Sequence, residues 1–83
     1  MKLEKLRKKI DKTDKKLLKM IEARFKITNK IGEYKMKNNI PVQNKKREQE
    51  IIRERQKETG LDKSFIKNFY SLLFKESRRM QEI

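Results

Sequence analysis

Six polar residues of this 83-residue chain stand on helical faces where apolar ones are expected. Stepping three and four residues alternately from Leu3 gives Leu3, Leu6, Ile10, Thr13, Leu17, Met20, Arg24, Ile27, Ile31 and Tyr34. This is an unbroken helical stripe with Arg24 inside it. An arginine buried there needs an anionic partner. Lys35 lies three turns further on, about 20° around the helix from Arg24 and about 16 Å along its axis. Arg47 and Glu48 precede the apolar pair Ile51 and Ile52. Ser77 and Gln81 continue the stripe Ile66, Tyr70, Leu73 at a spacing that puts both on one face. A pocket with cationic walls and a few neutral donors is one explanation. Each residue also has a plainer one. Arg24 could snorkel or make an intersubunit ion pair, and Lys35 alone reads as solvated. Arg47 with Glu48 could be a surface pair worth under about 1 kcal/mol. Ser77 and Gln81 could be the frayed end of an amphipathic face.

Composition narrows the chemistry. The chain has no histidine and no cysteine, 25 Lys plus Arg against 12 Asp plus Glu, and a formal net charge of +13. That removes the usual zinc ligands, the Ser-His-Asp triad and the commonest general base. No metal or cofactor is expected. Low hydrophobicity with high charge is also the composition of a disordered chain, and the basic balance that of a nucleic-acid binder. Periodicity argues against the first. Against the second, the lysines are interleaved with Glu and Asp, and no helix-turn-helix spacing or RNA-binding motif is visible. No apolar run reaches the roughly 18 residues of a membrane span, and residues 1–7 lack the apolar centre of a signal peptide. A cytoplasmic protein without a membrane or nucleic-acid partner is the expectation.

The elements that must carry these residues are three helices, long, short and medium, in a single all-α domain over residues 1–83. The first runs from about residue 3 to 37, with no Gly or Pro before Gly32. Asn38 to Gln43 form a loop around Pro41, which cannot continue a helix. Asn44 is placed to cap the second helix, from about Lys45 to Glu58. Thr59-Gly60 ends it, with Gly60 suited to a left-handed terminus. Leu61 and Asp62 open the third helix, Asp62 as its cap. A first helix of that length is about 50 Å long, whereas a compact chain of this size has a radius of gyration of about 12 Å. The remaining residues cannot cover such a rod. A helical homodimer in which another copy buries the stripe is the natural solution.

Taken together, the pattern resembles the all-helical (AroQ-type) chorismate mutase family, over nearly the whole chain. Leu6-Arg7-Lys8-Lys9-Ile10-Asp11 with Asp14-Lys15-Lys16-Leu17-Leu18 is similar to the family's L-R-x-x-I-D-x-x-D-x-x-L-L opening. Ile21-Glu22-Ala23-Arg24 is similar to L-x-x-R, and Ile31-Gly32-Glu33-Tyr34-Lys35 to V/I-G-x-x-K. Pro41 to Glu48 is similar to P-V-x-D-x-x-R-E, and Glu76, Ser77 and Gln81 to the end of the third helix. Five blocks in order, at compatible spacings, make the resemblance specific.

The resemblance implies an intertwined helical homodimer with shared active sites, and the rearrangement of chorismate to prephenate in aromatic amino-acid biosynthesis. It implies that Arg7 and Arg24 grip the substrate carboxylates with help from Arg47. Lys35 and Gln81 would hydrogen-bond the ether oxygen of the breaking bond, Glu48 would hold the ring hydroxyl, and Ser77 would sit near a carboxylate. Arg7 and Arg24 are about 25 Å apart along one helix, so if both serve one site they come from different chains. Asn44 stands where the family usually has Asp. It can still cap and hydrogen-bond but brings no charge, so weaker substrate binding is expected. No further domain for prephenate dehydratase or dehydrogenase activity is read, and a monofunctional enzyme is expected. A unimolecular pericyclic reaction also suits a chain without His or Cys, because it needs no nucleophile, metal or proton relay. Isochorismate-pyruvate lyases share the scaffold, but their position corresponding to Glu48 is not typically a carboxylate.

Overall fold

A computed structural model describes residues 2–81. It contains α1 (Lys2–Lys37), α2 (Lys45–Glu58) and α3 (Lys63–Gln81), and no strand among the described residues. The expected all-α order of long, short and medium helices is what the structure has.

Each boundary has a local cause. α1 stops where Asn39 takes a left-handed φ of 54°. The Ile40 amide then reaches back to the Lys35 carbonyl at 2.8 Å, and the Asn39 amide to Met36 at 3.4 Å. These are the two reversed bonds of a Schellman terminus. The Asn38 side chain adds a bond to the Tyr34 carbonyl at 2.8 Å. Asn44 caps α2, its Oδ1 accepting from the Arg47 amide at 3.0 Å. Asp62 caps α3, its Oδ2 accepting from the Phe65 amide at 2.9 Å. Gly60 departs from expectation, because neither glycine has a positive φ. The chain leaves α2 through an extended Thr59, with φ −136° and ψ 154°. The Thr59 hydroxyl takes the Leu61 amide, so no left-handed residue is needed there.

α3 is the centre of the fold. It packs on α2 along one side and on α1 along another, while α1 and α2 do not pack directly on each other. Its Ile66, Leu73 and Phe74 form the buried apolar core, with Ser77 buried beside them. Rings of Phe65, Phe69, Tyr70 and Phe74 follow one another along the helix at centroid distances of 5.6–6.1 Å. Residues 2–20 of α1 are all exposed, although Leu3, Leu6, Ile10 and Leu17 lie among them, Ile10 at 59%. The shape is accordingly long, 57 × 26 × 16 Å, with a radius of gyration of 16.1 Å against about 12 Å for a compact chain of this length.

Candidate functional site

Because α3 holds α1 and α2 apart, a cavity of about 460 Å³ opens between the three helices, within the size range of small-molecule sites. Each helix lines it with residues one turn apart. α1 supplies Arg24, Ile27, Thr28, Ile31 and Lys35; α2 supplies Arg47, Glu48, Ile51 and Arg55; α3 supplies Phe74, Ser77, Arg78 and Gln81. Val42 and Asn44 close it from the loop. Seven of the eight residues singled out in the sequence therefore meet: Arg24, Lys35, Asn44, Arg47, Glu48, Ser77 and Gln81. Arg7 does not. It lies on the exposed end of α1, about 25 Å along the helix from Arg24.

Arg24 is held by aromatic rings. Its guanidinium carbon is 5.6 Å from the centroids of both Tyr70 and Phe74, a cation–π arrangement. Its Nη1 is buried and has no hydrogen-bond partner among the described residues. Burial, the largest influence, lowers its pKa; Tyr70 raises it and Arg55 lowers it further. A buried guanidinium donor without a partner is a site for an anion.

The other cations are differently engaged. The Lys35 ammonium donates to the Val42 carbonyl at 3.0 Å, which leaves two of its three N–H groups. Arg47 is exposed, with only long contacts to Glu50 at 3.9 Å and Glu54 at 4.0 Å. Arg55 is bonded to both carboxylate oxygens of Glu58 at 2.9 and 3.0 Å. Arg78 donates to Glu48 at 2.5 Å.

The neutral donors form a chain across α1 and α3. The Thr28 hydroxyl donates to the Phe25 carbonyl at 3.1 Å. Its single proton is thereby used, and the 3.4 Å contact with Ser77 is one in which Ser77 donates. Ser77, 6% exposed, would have to turn its hydroxyl to meet a ligand carboxylate. The Gln81 amide donates to the Thr28 carbonyl at 3.0 Å, which orients the nitrogen and leaves its second N–H. Gly32 makes room for this side chain. A Cβ there would lie 2.8 Å from both Cγ and Cδ of Gln81. Asn44 has its oxygen committed to the α2 cap.

Arg55, Arg78 and the ring pair around Arg24 were not found in the sequence. Arg55 continues the face of Glu48 and Ile51 by one more turn, and Arg78 is three residues from Gln81, so the helical spacing was there to be followed. Of the two rings Phe74 also belongs to the buried core, while Tyr70 is half-buried. No helix among the described residues is long and apolar enough to cross a membrane.

Residues 6–82 match the family model described as "Chorismate mutase type II". The chain is 32% identical over 84 aligned positions to the chorismate mutase of Methanocaldococcus jannaschii, covering 98% of this chain and 85% of that one. It is 42% identical over 50 residues to the bifunctional chorismate mutase/prephenate dehydratase of Aquifex aeolicus, covering 60% of this chain but only 14% of that protein. No solved structure matches significantly.

Proposed function

The chain belongs to the chorismate mutase type II family, and from that premise we propose that it is an isomerase that rearranges chorismate to prephenate. The observation that carries this is the cavity itself. Arg24, Lys35, Arg47, Glu48, Ser77 and Gln81, drawn from three helices, line one volume of small-molecule size, and a buried guanidinium N–H in it has no partner among the described residues.

The reaction breaks one C–O bond and makes one C–C bond within a single flexible dianion. The protein has two tasks. The first is to hold the dianion folded with its reacting carbons close. Arginine suits this because its planar fork pairs bidentately with carboxylate. Arg24, placed beside the rings of Tyr70 and Phe74, takes one carboxylate, and Arg47, whose ion-pair contacts are long, assists. Arg7 of a second copy takes the other. The second task is to stabilise negative charge on the ether oxygen in the transition state. The remaining N–H groups of Lys35 and Gln81 do this, both side chains being anchored through one donor to a carbonyl. Glu48 accepts the ring hydroxyl, and Ile27, Ile31, Ile51 and Phe74 give apolar walls that strengthen these charges.

We infer a homodimer for the same reason that Arg7 needs one. The exposed leucines and isoleucines of α1 form a stripe that another α1 would bury, and the pairing would bring each Arg7 toward the other chain's cavity. Two shared sites per dimer follow. The enzyme would work in the cytoplasm.

Purified protein given chorismate should yield prephenate in a first-order conversion of bound substrate. Pyruvate release from isochorismate, with no prephenate from chorismate, would instead make it a lyase on the same scaffold.

A further inference from the structure

Arg78 and Glu48 form the one ion pair among the described residues that joins two helices. The other pairs lie within α2 or within α3. Glu48 is on the first turn of α2 and Arg78 on the last turns of α3. Arg78 Nη1 donates to Glu48 Oε2 at 2.5 Å, and the side chains are 27% and 24% exposed. Both line the cavity.

The position of the pair follows from α3. Ser77 and Gln81 face α1, where both meet Thr28. Arg78, about 100° further around the helix than Ser77, faces α2 and meets Glu48. α3 thus divides its polar residues between the two walls of the site.

Among the described residues Glu48 is the one carboxylate lining the cavity, facing the cations Arg24, Lys35, Arg47, Arg55 and Arg78. A flexible carboxylate there would be drawn to whichever cation it could reach. Any cation that it engaged in the substrate's place would be lost to binding. Arg78 removes that freedom by holding Oε2 from the opposite wall. Among the described residues the structure gives Oε1 no hydrogen bond, so that oxygen remains able to accept a proton donor from a ligand.

We propose that Arg78 is a positioning residue that fixes Glu48, so that the Glu48–Arg78 pair, rather than Glu48 alone, reads the secondary alcohol of the substrate. This rests on the chorismate mutase reading. Arg78 itself touches neither the substrate carboxylates nor the ether oxygen. The alcohol is held alike in ground and transition states, so loosening its acceptor weakens binding without slowing the bound reaction.

The test is a kinetic double-mutant cycle on the full chain with chorismate as substrate. Arg78→Met should raise KM roughly tenfold, the scale for losing one charge-assisted hydrogen bond, while kcat stays within about twofold. Arg78→Lys, which keeps the charge and one donor, should recover most of the loss. Glu48→Gln should raise KM by itself, and adding Arg78→Met to it should change KM no further. If Arg78→Met fails to fold, judged by far-UV circular dichroism, Arg78→Gln keeps a neutral donor and should give an intermediate KM. Unchanged KM in the folded Arg78 variants would overturn the proposal. So would an equal KM rise in the Glu48→Gln background, which would put Arg78 on the substrate. Wild-type protein without prephenate formation would overturn the functional reading first, and this inference with it; the wild-type assay therefore separates the two failures.

Discussion

Gly32→Ala separates what α1 needs as a helix from what the site needs. Gly32 is buried, in the interior of a 36-residue helix, and has no positive φ. Its backbone does not require glycine, and alanine there should favour the helix by about 1 kcal/mol. The site opposes the change. The new Cβ would be 2.8 Å from Cγ and Cδ of Gln81 and 3.0 Å from its Oε1, where ordinary contact begins at 3.4 Å. The conflict involves the stem of the side chain as well as its tip, so the amide must move, by about 0.6 Å if ordinary contact is to be restored. That breaks or lengthens the 3.0 Å bond from Gln81 to the Thr28 carbonyl, and the second N–H leaves the place where the ether oxygen would be. A misplacement near 1 Å costs on the order of a hundredfold, as does loss of one donor to a developing oxyanion. The expected result is kcat down by roughly ten- to a hundredfold, with thermal stability unchanged or raised. Steady-state kinetics on chorismate and thermal denaturation measure the two. The control is Gln81→Ala, in which Gly32→Ala should no longer lower kcat. Normal kcat in Gly32→Ala, or an equal loss in the Gln81→Ala background, would refute the reasoning.

Lys35→Ala should lower kcat by on the order of a hundredfold or more with the fold intact, since on the proposed mechanism it removes the charge facing the ether oxygen; kinetics beside a circular dichroism spectrum test this. Arg24→Met should lower kcat/KM by at least about a hundredfold yet leave the melting temperature unchanged or higher, because a half-buried guanidinium with one N–H unpartnered among the described residues gives way to an apolar chain beside two rings. Arg7→Ala and Arg24→Ala should each be nearly inactive. After unfolding and refolding together in equal amounts they should recover about a quarter of wild-type activity, because half the dimers are mixed and each of those has one intact site of two; no recovery would mean that the two arginines do not act across chains. Asn44→Asp should lower KM while keeping the α2 cap, since aspartate caps as well as asparagine; unchanged KM and kcat would remove Asn44 from the substrate's surroundings.

The helices were legible in the sequence because their ends are made of short-range chemistry. Asn44 and Asp62 cap as read, and the Asn38–Pro41 stop lies within a residue or two of the observed one. Gly60 misled for an equally local reason. Glycine permits a left-handed conformation without requiring it, and the conformation went instead to Asn39, where the Schellman bonds of α1 demand it. The site was legible as far as polar residues broke apolar stripes. Arg24, Ser77 and Gln81 announce themselves that way, and the family resemblance supplied Lys35, Arg47, Glu48 and Asn44 with roles. Arg78 and Arg55 break no stripe. They flank one, and in a chain with 25 basic residues their helical spacing is shared by many solvated lysines and arginines, so it takes the packing of α3 against α2 to single them out.

The uncovered half of α1 also bears on how much protein must be present for any of this to work. Among the described residues the apolar core within one chain consists of three residues of α3, too little to hold residues 2–20 of α1 in place. If the cover is a second copy, folding and site assembly are one bimolecular event, and stability has no value apart from a protomer concentration. Dilution then does not merely separate two working halves. It removes Arg7 from each cavity and the support from each α1 at once, so activity per chain and helical content decline over the same range of concentration.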